Sequence, residues 1–271
     1  MALPFQLSGM TLSGGMALSI AGGSPPPPPT PGLIFSYNFS NSSSYSGTGS
    51  TVNDLSGNGY NATLVNSPSF NGTDHGGSLT VTSTSSQYFQ TGTNVNFPYT
   101  VVSGENIAND WSFSIVANIK NIGTTYQATG LWNNQLYASG TPGFGGTIQT
   151  VPSSYYLYYP NAYNGSGLYY NLVQGSTDYK DTIVLYDFVY TAIDKTCKLY
   201  INGSYVDSKT MISGLSPTNL GFMFGAMRDT SGGAAAYFAD VIYYQMQAYD
   251  NALDSTAITA HYNSIKSQYG I

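Results

Sequence analysis

The stretch Cys197-Lys198-Leu199-Tyr200-Ile201-Asn202-Gly203-Ser204-Tyr205-Val206-Asp207 predicts a β-hairpin. Asn-Gly between two strand-like runs is the strongest short hairpin signal, because both residues tolerate the positive φ angles of the tight turn. The flanking runs contain aromatic and β-branched side chains, which favour strands. The hairpin therefore indicates that the middle of the chain is β structure.

Similar runs recur on both sides of the hairpin. They are short and are separated by Gly, Asn, Ser and Pro at close spacing, which is typical of a sandwich or barrel. The clearest runs are Leu33–Phe39, Ser78–Thr82, Trp111–Ile119, Ile183–Thr191, Lys198–Ile201 and Val241–Ala248. We therefore predict an all-β fold, an antiparallel jelly-roll β-sandwich, over residues 32–271.

The end of the chain has a different period. Apolar side chains recur there at helical spacing, at Ile258, Tyr262, Ile265 and Tyr269. Asp254 or Ser255 precedes this pattern and is suited to cap a helix. The pattern predicts one short C-terminal helix that closes the sandwich.

The first 31 residues form two further segments. Residues 1–24 carry no charge and alternate apolar with small polar side chains, which is strand spacing. Their apolar members are Phe5, Leu7, Met10, Leu12, Met16, Leu18 and Ile20. A lone strand is not stable in water, so we predict an extended anchoring arm that pairs with another protein chain. A disordered terminus is the alternative.

Residues 25–31 read Pro-Pro-Pro-Pro-Pro-Thr-Pro. Such a run forms a stiff polyproline II spacer that rises about 3.1 Å per residue, so the segment spans roughly 20 Å. The linker therefore separates the arm from the sandwich and places a domain boundary near residue 32.

The composition excludes several classes of partner. The 271 residues include 7 Lys or Arg and 13 Asp or Glu, for a net charge of −6. So few basic residues cannot neutralise a row of phosphates, which excludes nucleic acid. No apolar run approaches the roughly 18 residues that cross a bilayer, and residues 1–24 lack the pattern of a signal peptide. The single cysteine, Cys197, excludes a disulfide framework and a thiolate zinc site.

Candidate chemistry is sparse. The chain contains one glutamate, Glu105, and two histidines, His75 and His261. No arrangement of these residues in the sequence argues for a catalytic triad.

Asp54 and Asn58 could supply oxygen ligands to calcium, but an Asx turn, in which the Asp54 carboxylate accepts backbone N–H groups, is the simpler interpretation. Apart from such structural calcium we predict no cofactor.

The densest aromatic cluster contains Tyr155, Tyr156, Tyr158, Tyr159 and Tyr163. It is open to three interpretations: a structural strand, a protein contact, in which Tyr is enriched, or a glycan contact through ring stacking. Trp111 is predicted to lie in the core. Trp132 lies among polar residues and is predicted to contact a glycan or a protein at the surface.

Several motifs resemble those of laminin-G-like domains of the concanavalin A-like lectin and glucanase superfamily. They are the run from Asn53 to Leu64 with Asn66-Ser67-Pro68-Ser69-Phe70, the strand Trp111–Ile115, the hairpin at Asn202-Gly203, and Ile242-Tyr243-Tyr244 with Tyr249-Asp250-Asn251-Ala252-Leu253. The terminal run from Tyr262 to Ile271 resembles the tails of such proteins in tailed-phage virions. The resemblance covers residues 32–271 and implies the sandwich fold.

Glycosidases of that superfamily carry a Glu-x-Asp-x-x-Glu strand, and retaining hydrolysis needs two carboxyl groups about 5 Å apart. With Glu105 as its only glutamate, this chain does not have the motif, so we predict no enzyme activity. The resemblance implies a surface-exposed structural, decoration or fibre-associated virion protein, and the arm is predicted to anchor it to other virion proteins or to copies of itself. The alternative is an adhesin that binds glycans of a host or another surface.

Overall fold

The computed structural model describes residues 32–92, 95, 99–102, 105–120, 128–133, 145–151, 154–158, 171–173, 179–210, 221–228 and 234–271. The predicted arm and linker, residues 1–31, lie outside this part. The described strands are, in chain order, β1 (Leu33–Asn38), β2 (Thr51–Val52), β3 (Ala62–Val65), β4 (Ser69–Asn71), β5 (Ser78–Val81), β6 (Tyr88–Thr91), β7 (Tyr99–Val102), β8 (Glu105–Ala108), β9 (Trp111–Ile119), β10 (Ala128–Asn133), β11 (Gly145–Val151), β12 (Ser154–Tyr158), β13 (Asn171–Val173), β14 (Ile183–Thr191), β15 (Thr196–Ile201), β16 (Ser204–Thr210), β17 (Met223–Phe224), β18 (Met227–Arg228), β19 (Ala235–Ala236) and β20 (Val241–Tyr249). One α-helix, α1 (Ser255–Tyr269), follows them in the described part.

The strands form two eight-stranded antiparallel sheets. Sheet A has the order β16-β15-β14-β9-β20-β5-β4, and β1 also pairs with β20. Sheet B has the order β13-β12-β11-β10-β17-β6-β3-β2. The pairs β7–β8 and β18–β19 form small separate sheets. The two large sheets share one hydrophobic core, so the predicted β-sandwich is confirmed.

The predicted strands agree closely with the observed ones. β9 and β14 have the predicted bounds, and the other predicted strands differ by one or two residues at one end. β9 and β14, each nine residues long, pair through eight residues at the centre of sheet A, from Ile183 opposite Asn118 to Tyr190 opposite Trp111. Their alternate side chains enter the core, as expected for the period of a strand.

The predicted hairpin joins β15 to β16, and its turn also supports other parts of the fold. Asn202 and Gly203 have φ angles of 48° and 75°, as the tight turn requires. Asn202 donates its N–H to the Leu185 carbonyl at 2.9 Å and accepts the Leu185 N–H on its side-chain oxygen at 2.9 Å. A Cβ on Gly203 would lie 2.9 Å from the Cβ of Tyr262 on α1. The turn is therefore packed between a central strand and the helix.

The core is aromatic, and it includes Trp132. The Trp132 side chain is fully buried and stacks on Phe113 with a centroid distance of 4.2 Å and an interplanar angle of 7°. The prediction that Trp132 contacts a ligand at the surface is therefore wrong. The pairing of β10 with β11 shifts register between Gly130 and Trp132, so that both Leu131 and Trp132 enter the core. Trp111 is buried, as predicted.

Helix α1 covers the outer face of sheet A. Asp254 is its N-cap and accepts the Ala257 N–H at 2.8 Å, which confirms one of the two predicted caps. Ile258 packs on Val189 and Tyr200. Ile265 and Tyr269 pack in a second cluster with Val116, Leu185 and Tyr244. Within the described part, no helix has the length and apolar character that a membrane crossing requires.

Both ends of the described sandwich are held by hydrogen bonds. Asp250, at the end of β20, donates its N–H to the Gly32 carbonyl at 2.7 Å. Ile271 accepts a hydrogen bond from the Tyr262 hydroxyl at 3.1 Å. The chain therefore enters the sandwich beside the loop that leads into α1, and Ile271 lies at the opposite end of that helix.

Candidate functional site

The outer face of sheet A carries a polar group beneath α1. Asp187 of β14 lies opposite Ser114 of β9 and Tyr200 of β15. Its neighbours Tyr186 and Phe188 enter the core, so strand alternation directs Asp187 to the face that the helix covers. The Asp187 side chain is 1% exposed, and the Ser114 hydroxyl donates a hydrogen bond to its Oδ1 atom.

His261 completes this group from the helix. It lies three residues after Ile258 and four before Ile265, so all three side chains share one face of α1. The His261 Nδ1 atom is 3.6 Å from Asp187 Oδ1, and the imidazole is 14% exposed. The fold thus brings together a serine, an aspartate and a histidine that are far apart in the sequence.

This arrangement does not have the geometry of a hydrolytic triad. In such a triad the histidine takes the proton of the serine while the aspartate orients the histidine. Here the Ser114 hydroxyl is bonded to the carboxylate itself, and the same carboxylate oxygen faces the imidazole. Because Ser114 is 1% exposed, a substrate cannot reach its hydroxyl in this conformation.

The Asp187 charge acts on two nearby phenols. Burial raises the pKa of Tyr249, and the negative charge of Asp187 raises it further. The pKa of Tyr200 is also raised, first by burial and then by the charges of Tyr205, Asp187 and Asp254. Both hydroxyls therefore remain neutral near pH 7, and neither adds charge to the group.

A second polar contact holds the C-terminal end of α1. His75 Nδ1 lies 2.8 Å from the Gln268 carbonyl, and the Gln268 side chain donates back to the His75 carbonyl at 3.2 Å. Asp74 accepts hydrogen bonds from the Tyr244 hydroxyl at 3.0 Å and the Ser78 hydroxyl at 2.8 Å. Burial and this contact with Asp74 raise the pKa of Tyr244. Asp74 and His75 thus form a polar turn that contacts the helix.

Asp54 forms the predicted turn. Its carboxylate accepts the backbone N–H groups of Ser36, Ser56 and Tyr60 at 2.9, 2.9 and 3.0 Å, and the Ser56 hydroxyl at 2.7 Å. The Asn58 amide donates to the carbonyls of Leu33 and Ile34 at 2.8 and 2.9 Å. Both Asp54 carboxylate oxygens thus accept hydrogen bonds from the protein, and the Asx turn is the interpretation that the geometry favours. Over the described ranges, no group of three or more His, Cys, Asp or Glu side chains is placed to hold a metal ion.

Three members of the predicted tyrosine cluster lie on sheet B. Tyr155, Tyr156 and Tyr158 belong to β12, which pairs with β11 through Tyr156 opposite Gln149 and with β13 through Tyr158 opposite Asn171. A structural strand is thus part of the role of this segment. Tyr159 and Tyr163 lie outside the described residues, as do all seven apolar residues of the predicted arm. Glu105 lies in β8, opposite Val102 of β7.

The Asp187–His261 pair was not predicted from the sequence. One signal was present: Asp187 is the single charged residue in the strand Ile183–Thr191, whose other residues are aliphatic or aromatic except for Thr191. A charge at such a position requires a partner when both sides of the strand are covered. The identity of that partner depends on where α1 packs, which the local pattern does not specify.

Several solved structures of other proteins have a similar fold, although no match was found by sequence. No protein-family model and no curated protein matches the sequence. Among solved structures, the binding domain of Paraclostridial mosquitocidal protein 1 is similar, with 17% identity and a TM-score of 0.61 over 86% of this chain and 52% of that one. The receptor-binding domain of botulinum neurotoxin mosaic serotype C/D has 14% identity and a TM-score of 0.57 over 86% of this chain and 51% of that one.

The sialidase of Trypanosoma rangeli, in a complex with sialic acid, is similar as well. It has 15% identity and a TM-score of 0.58 over 89% of this chain and 34% of that one. The chain therefore spans about half the length of the toxin chains and about a third of the sialidase chain. Likeness at this level of identity supports the fold alone, a β-sandwich.

Proposed function

We propose that the chain is a non-enzymatic binding protein that is displayed on a virion. Residues 1–24 anchor it to other virion proteins or to copies of itself, residues 25–31 act as a spacer, and the sandwich from residue 32 onward faces outward. It would be a structural, decoration or fibre-associated protein. An image of intact particles in which this chain is labelled tests its location directly.

One observation carries the non-enzymatic part of the proposal. The place where the described sandwich gathers serine, aspartate and histidine is buried under α1, with Ser114 bonded to Asp187. These groups serve the packing of the helix on the sheet. We expect the purified protein to release no sugar from polysaccharides, and turnover that is lost in Glu105→Gln would contradict the proposal.

The anchoring part rests on the sequence of the arm. Residues 1–24 are uncharged and alternate apolar with small polar side chains, so addition to a neighbouring sheet would pair the backbone and bury the apolar side chains together. Deletion of residues 1–31 should leave a folded sandwich with an unchanged Tm that no longer assembles. Normal assembly of the truncated protein, or its failure to fold, would exclude the anchoring role.

Glycan adhesion is the second candidate function. It is supported by two similar structures, a toxin receptor-binding domain and a sialidase in a complex with sialic acid, and by the tyrosines of β12, since aromatic rings can stack on sugars. A glycan array with the purified protein tests it. If the β12 tyrosines carry the affinity, Tyr156→Ala and Tyr158→Ala should abolish binding.

A matched control is Tyr205→Ala, because Tyr205 is 56% exposed but lies in β16 of sheet A. If Tyr205→Ala reduces glycan binding as strongly as the β12 variants do, a site at β12 is excluded. No binding to any glycan would leave the anchored virion role as the better proposal.

A further inference from the structure

In the described part, His261 is the only basic side chain with a nitrogen within 4 Å of the Asp187 carboxylate. All seven Lys and Arg of the chain lie in that part, and none of them forms a salt bridge with Asp187. A carboxylate that is 1% exposed is costly to leave uncompensated. The Ser114 hydroxyl supplies a hydrogen bond to it but no charge.

The pair is close but not joined. The distance of 3.6 Å between His261 Nδ1 and Asp187 Oδ1 is longer than a hydrogen bond. Neither ring nitrogen of His261 has a hydrogen-bond partner among the described residues, and Asp187 Oδ2 has none there either. At this distance, a protonated imidazole would form a charged contact with the carboxylate, whereas a neutral imidazole would not.

The two phenols that face the pair remain neutral in the neutral pH range. Tyr200 and Tyr249 face it from β15 and β20, and burial keeps both phenols protonated. Gln247 of β20, opposite Ser114, is uncharged. Asp254 lies at the start of α1, and Lys198 shares a face of β15 with Tyr200 by strand alternation. Within this set, histidine is the residue whose charge changes between pH 5 and pH 8.

Apolar packing lies on both sides of the pair along the helix. Ile258 with Val189 and Tyr200 forms one cluster, and Ile265 with Leu185 and Tyr244 belongs to the other. His261 lies between them, so an uncompensated Asp187 charge acts at the centre of the contact between helix and sheet. A change in that contact alters how firmly the whole of α1 is held.

We propose that His261 and Asp187 form a pH-responsive clasp between α1 and sheet A. When His261 gains a proton, the imidazolium and the Asp187 carboxylate form a buried ion pair, and the helix is held more firmly. When His261 loses that proton, the buried carboxylate is left without a counter-charge, and α1 separates from the sheet more readily. Acidification from pH 8 to pH 5.5 therefore tightens the clasp.

The direction of this pH dependence follows from the linkage between proton binding and folding. A histidine that gains a partner on folding contributes stability at low pH, and that contribution is lost as the pH rises. Loosening of α1 at high pH would expose Val116, Leu185 and Tyr244, which the helix covers in this structure. The clasp would thus make an apolar face of the sandwich accessible in one pH range and not in the other.

Thermal unfolding of the full chain at pH 5.5 and pH 8.0 tests the proposal. The quantity of interest is the Tm at pH 5.5 minus the Tm at pH 8.0, compared between the wild type and His261→Gln. We expect the substitution to reduce this difference by about 3 °C or more, as for loss of a partly buried ion pair in a domain of this size. An unchanged or larger difference in His261→Gln would overturn the proposal.

His75→Gln is the matched control, because His75 is the only other histidine of the chain. Its side chain is 34% exposed and lies 3.8 Å from Asp74, so it makes a weaker charged contact. We expect His75→Gln to change the Tm difference less than His261→Gln does. If His75→Gln changes the Tm difference as much as His261→Gln does, or more, the pH dependence does not come from His261. That result would contradict the clasp.

If His261→Gln folds poorly, hydrogen exchange in the wild type provides a second test of the proposal. In the wild type, amides of α1 should gain protection relative to amides of β9 when the pH is lowered from 8.0 to 5.5, after correction for the intrinsic exchange rates. Asp187→Asn removes the buried charge and should abolish this gain. Protection of α1 that stays constant or falls on acidification in the wild type would overturn the proposal.

Discussion

The Nδ1 atom of His75 lies 2.8 Å from the carbonyl oxygen of Gln268, so the turn before β5 is bonded to the last turn of α1. The His75 ring also lies 5.7 Å from the ring of Tyr244 and 6.0 Å from that of Tyr269. The carbonyl groups of the last helical turn have no partner within the helix. His75 therefore supplies one of these carbonyls with a hydrogen bond and fixes the position of the helix end.

Replacement of His75 by alanine should destabilise the protein by about 1–2 kcal/mol, because a hydrogen bond and two ring contacts are lost. Thermal unfolding measures the loss as a fall in Tm of a few degrees. Gln268→Ala is the control, since it retains the backbone carbonyl that His75 contacts and removes only the side-chain bond to the His75 carbonyl at 3.2 Å. Equal losses in the two variants would contradict a role for the imidazole.

Gly203→Ala should destabilise the protein more than Gly49→Ala. Both glycines have left-handed backbones, with φ of 75° and 82°. A Cβ at residue 203 would meet Tyr262 at 2.9 Å, whereas nothing lies within 4 Å of a Cβ at residue 49. We expect a loss of about 1 kcal/mol for the backbone strain in both variants and a further loss of about 1–3 kcal/mol from overpacking at residue 203. Chemical denaturation measures the free energy of unfolding of each variant. Similar losses in the two variants would show that a Cβ at residue 203 does not overpack against α1.

Asp54→Ala should cost about 2–4 kcal/mol, because the N–H groups of Ser36 and Tyr60 lose their acceptor. Asp54→Asn keeps one acceptor oxygen and should cost less. Addition of EDTA should leave the Tm of the wild type unchanged, because hydrogen-bond donors surround the carboxylate. A Tm that falls by many degrees with EDTA and recovers with calcium would instead make Asp54 a metal ligand.

Alkaline solution should weaken the packing of α1 through Tyr269. Burial raises the pKa of Tyr269 from 10.0 to about 12, so this phenol ionises more readily in the unfolded chain than in the folded one. Stability is fully present below pH 10 and is lost as the pH rises toward 12, by on the order of 2–3 kcal/mol from this group. Tyr269→Phe should show a shallower fall in the free energy of unfolding between pH 9.5 and pH 11.5. If the free energy of unfolding of Tyr269→Phe falls with pH as steeply as that of the wild type, the raised pKa of Tyr269 is contradicted.

Local patterns predicted much of the fold from the sequence. The bounds of β9 and β14 follow from long runs of strand-forming residues, and the turn at Asn202-Gly203 follows from its requirement for positive φ. The helix pattern at Ile258, Ile265 and Tyr269 identified residues that do pack on sheet A. These features depend on neighbouring residues along the chain, which a sequence displays directly.

Trp132 and His261 show what such patterns do not contain. Trp132 precedes two asparagines and looks exposed, but the register shift after Gly130 brings it into the core beside Leu131. The spacing from Ile258 and Ile265 places His261 on the packed face of α1, but it does not identify Asp187 as the residue beneath it. The burial of Trp132 and the partner of His261 both depend on distant strands, which local patterns do not specify.

The hydrogen bond from Asp250 to Gly32 has a consequence for labelling. It fixes the point where the chain enters the sandwich beside the start of α1, while Ile271 is held at the other end of that 15-residue helix, about 22 Å away at the rise of an α-helix. A probe coupled behind Ile271 would thus report a position distinct from the point of entry. Two probes, one at each position, would define a direction for every copy, so that a micrograph could distinguish sandwiches standing upright from sandwiches lying on their side.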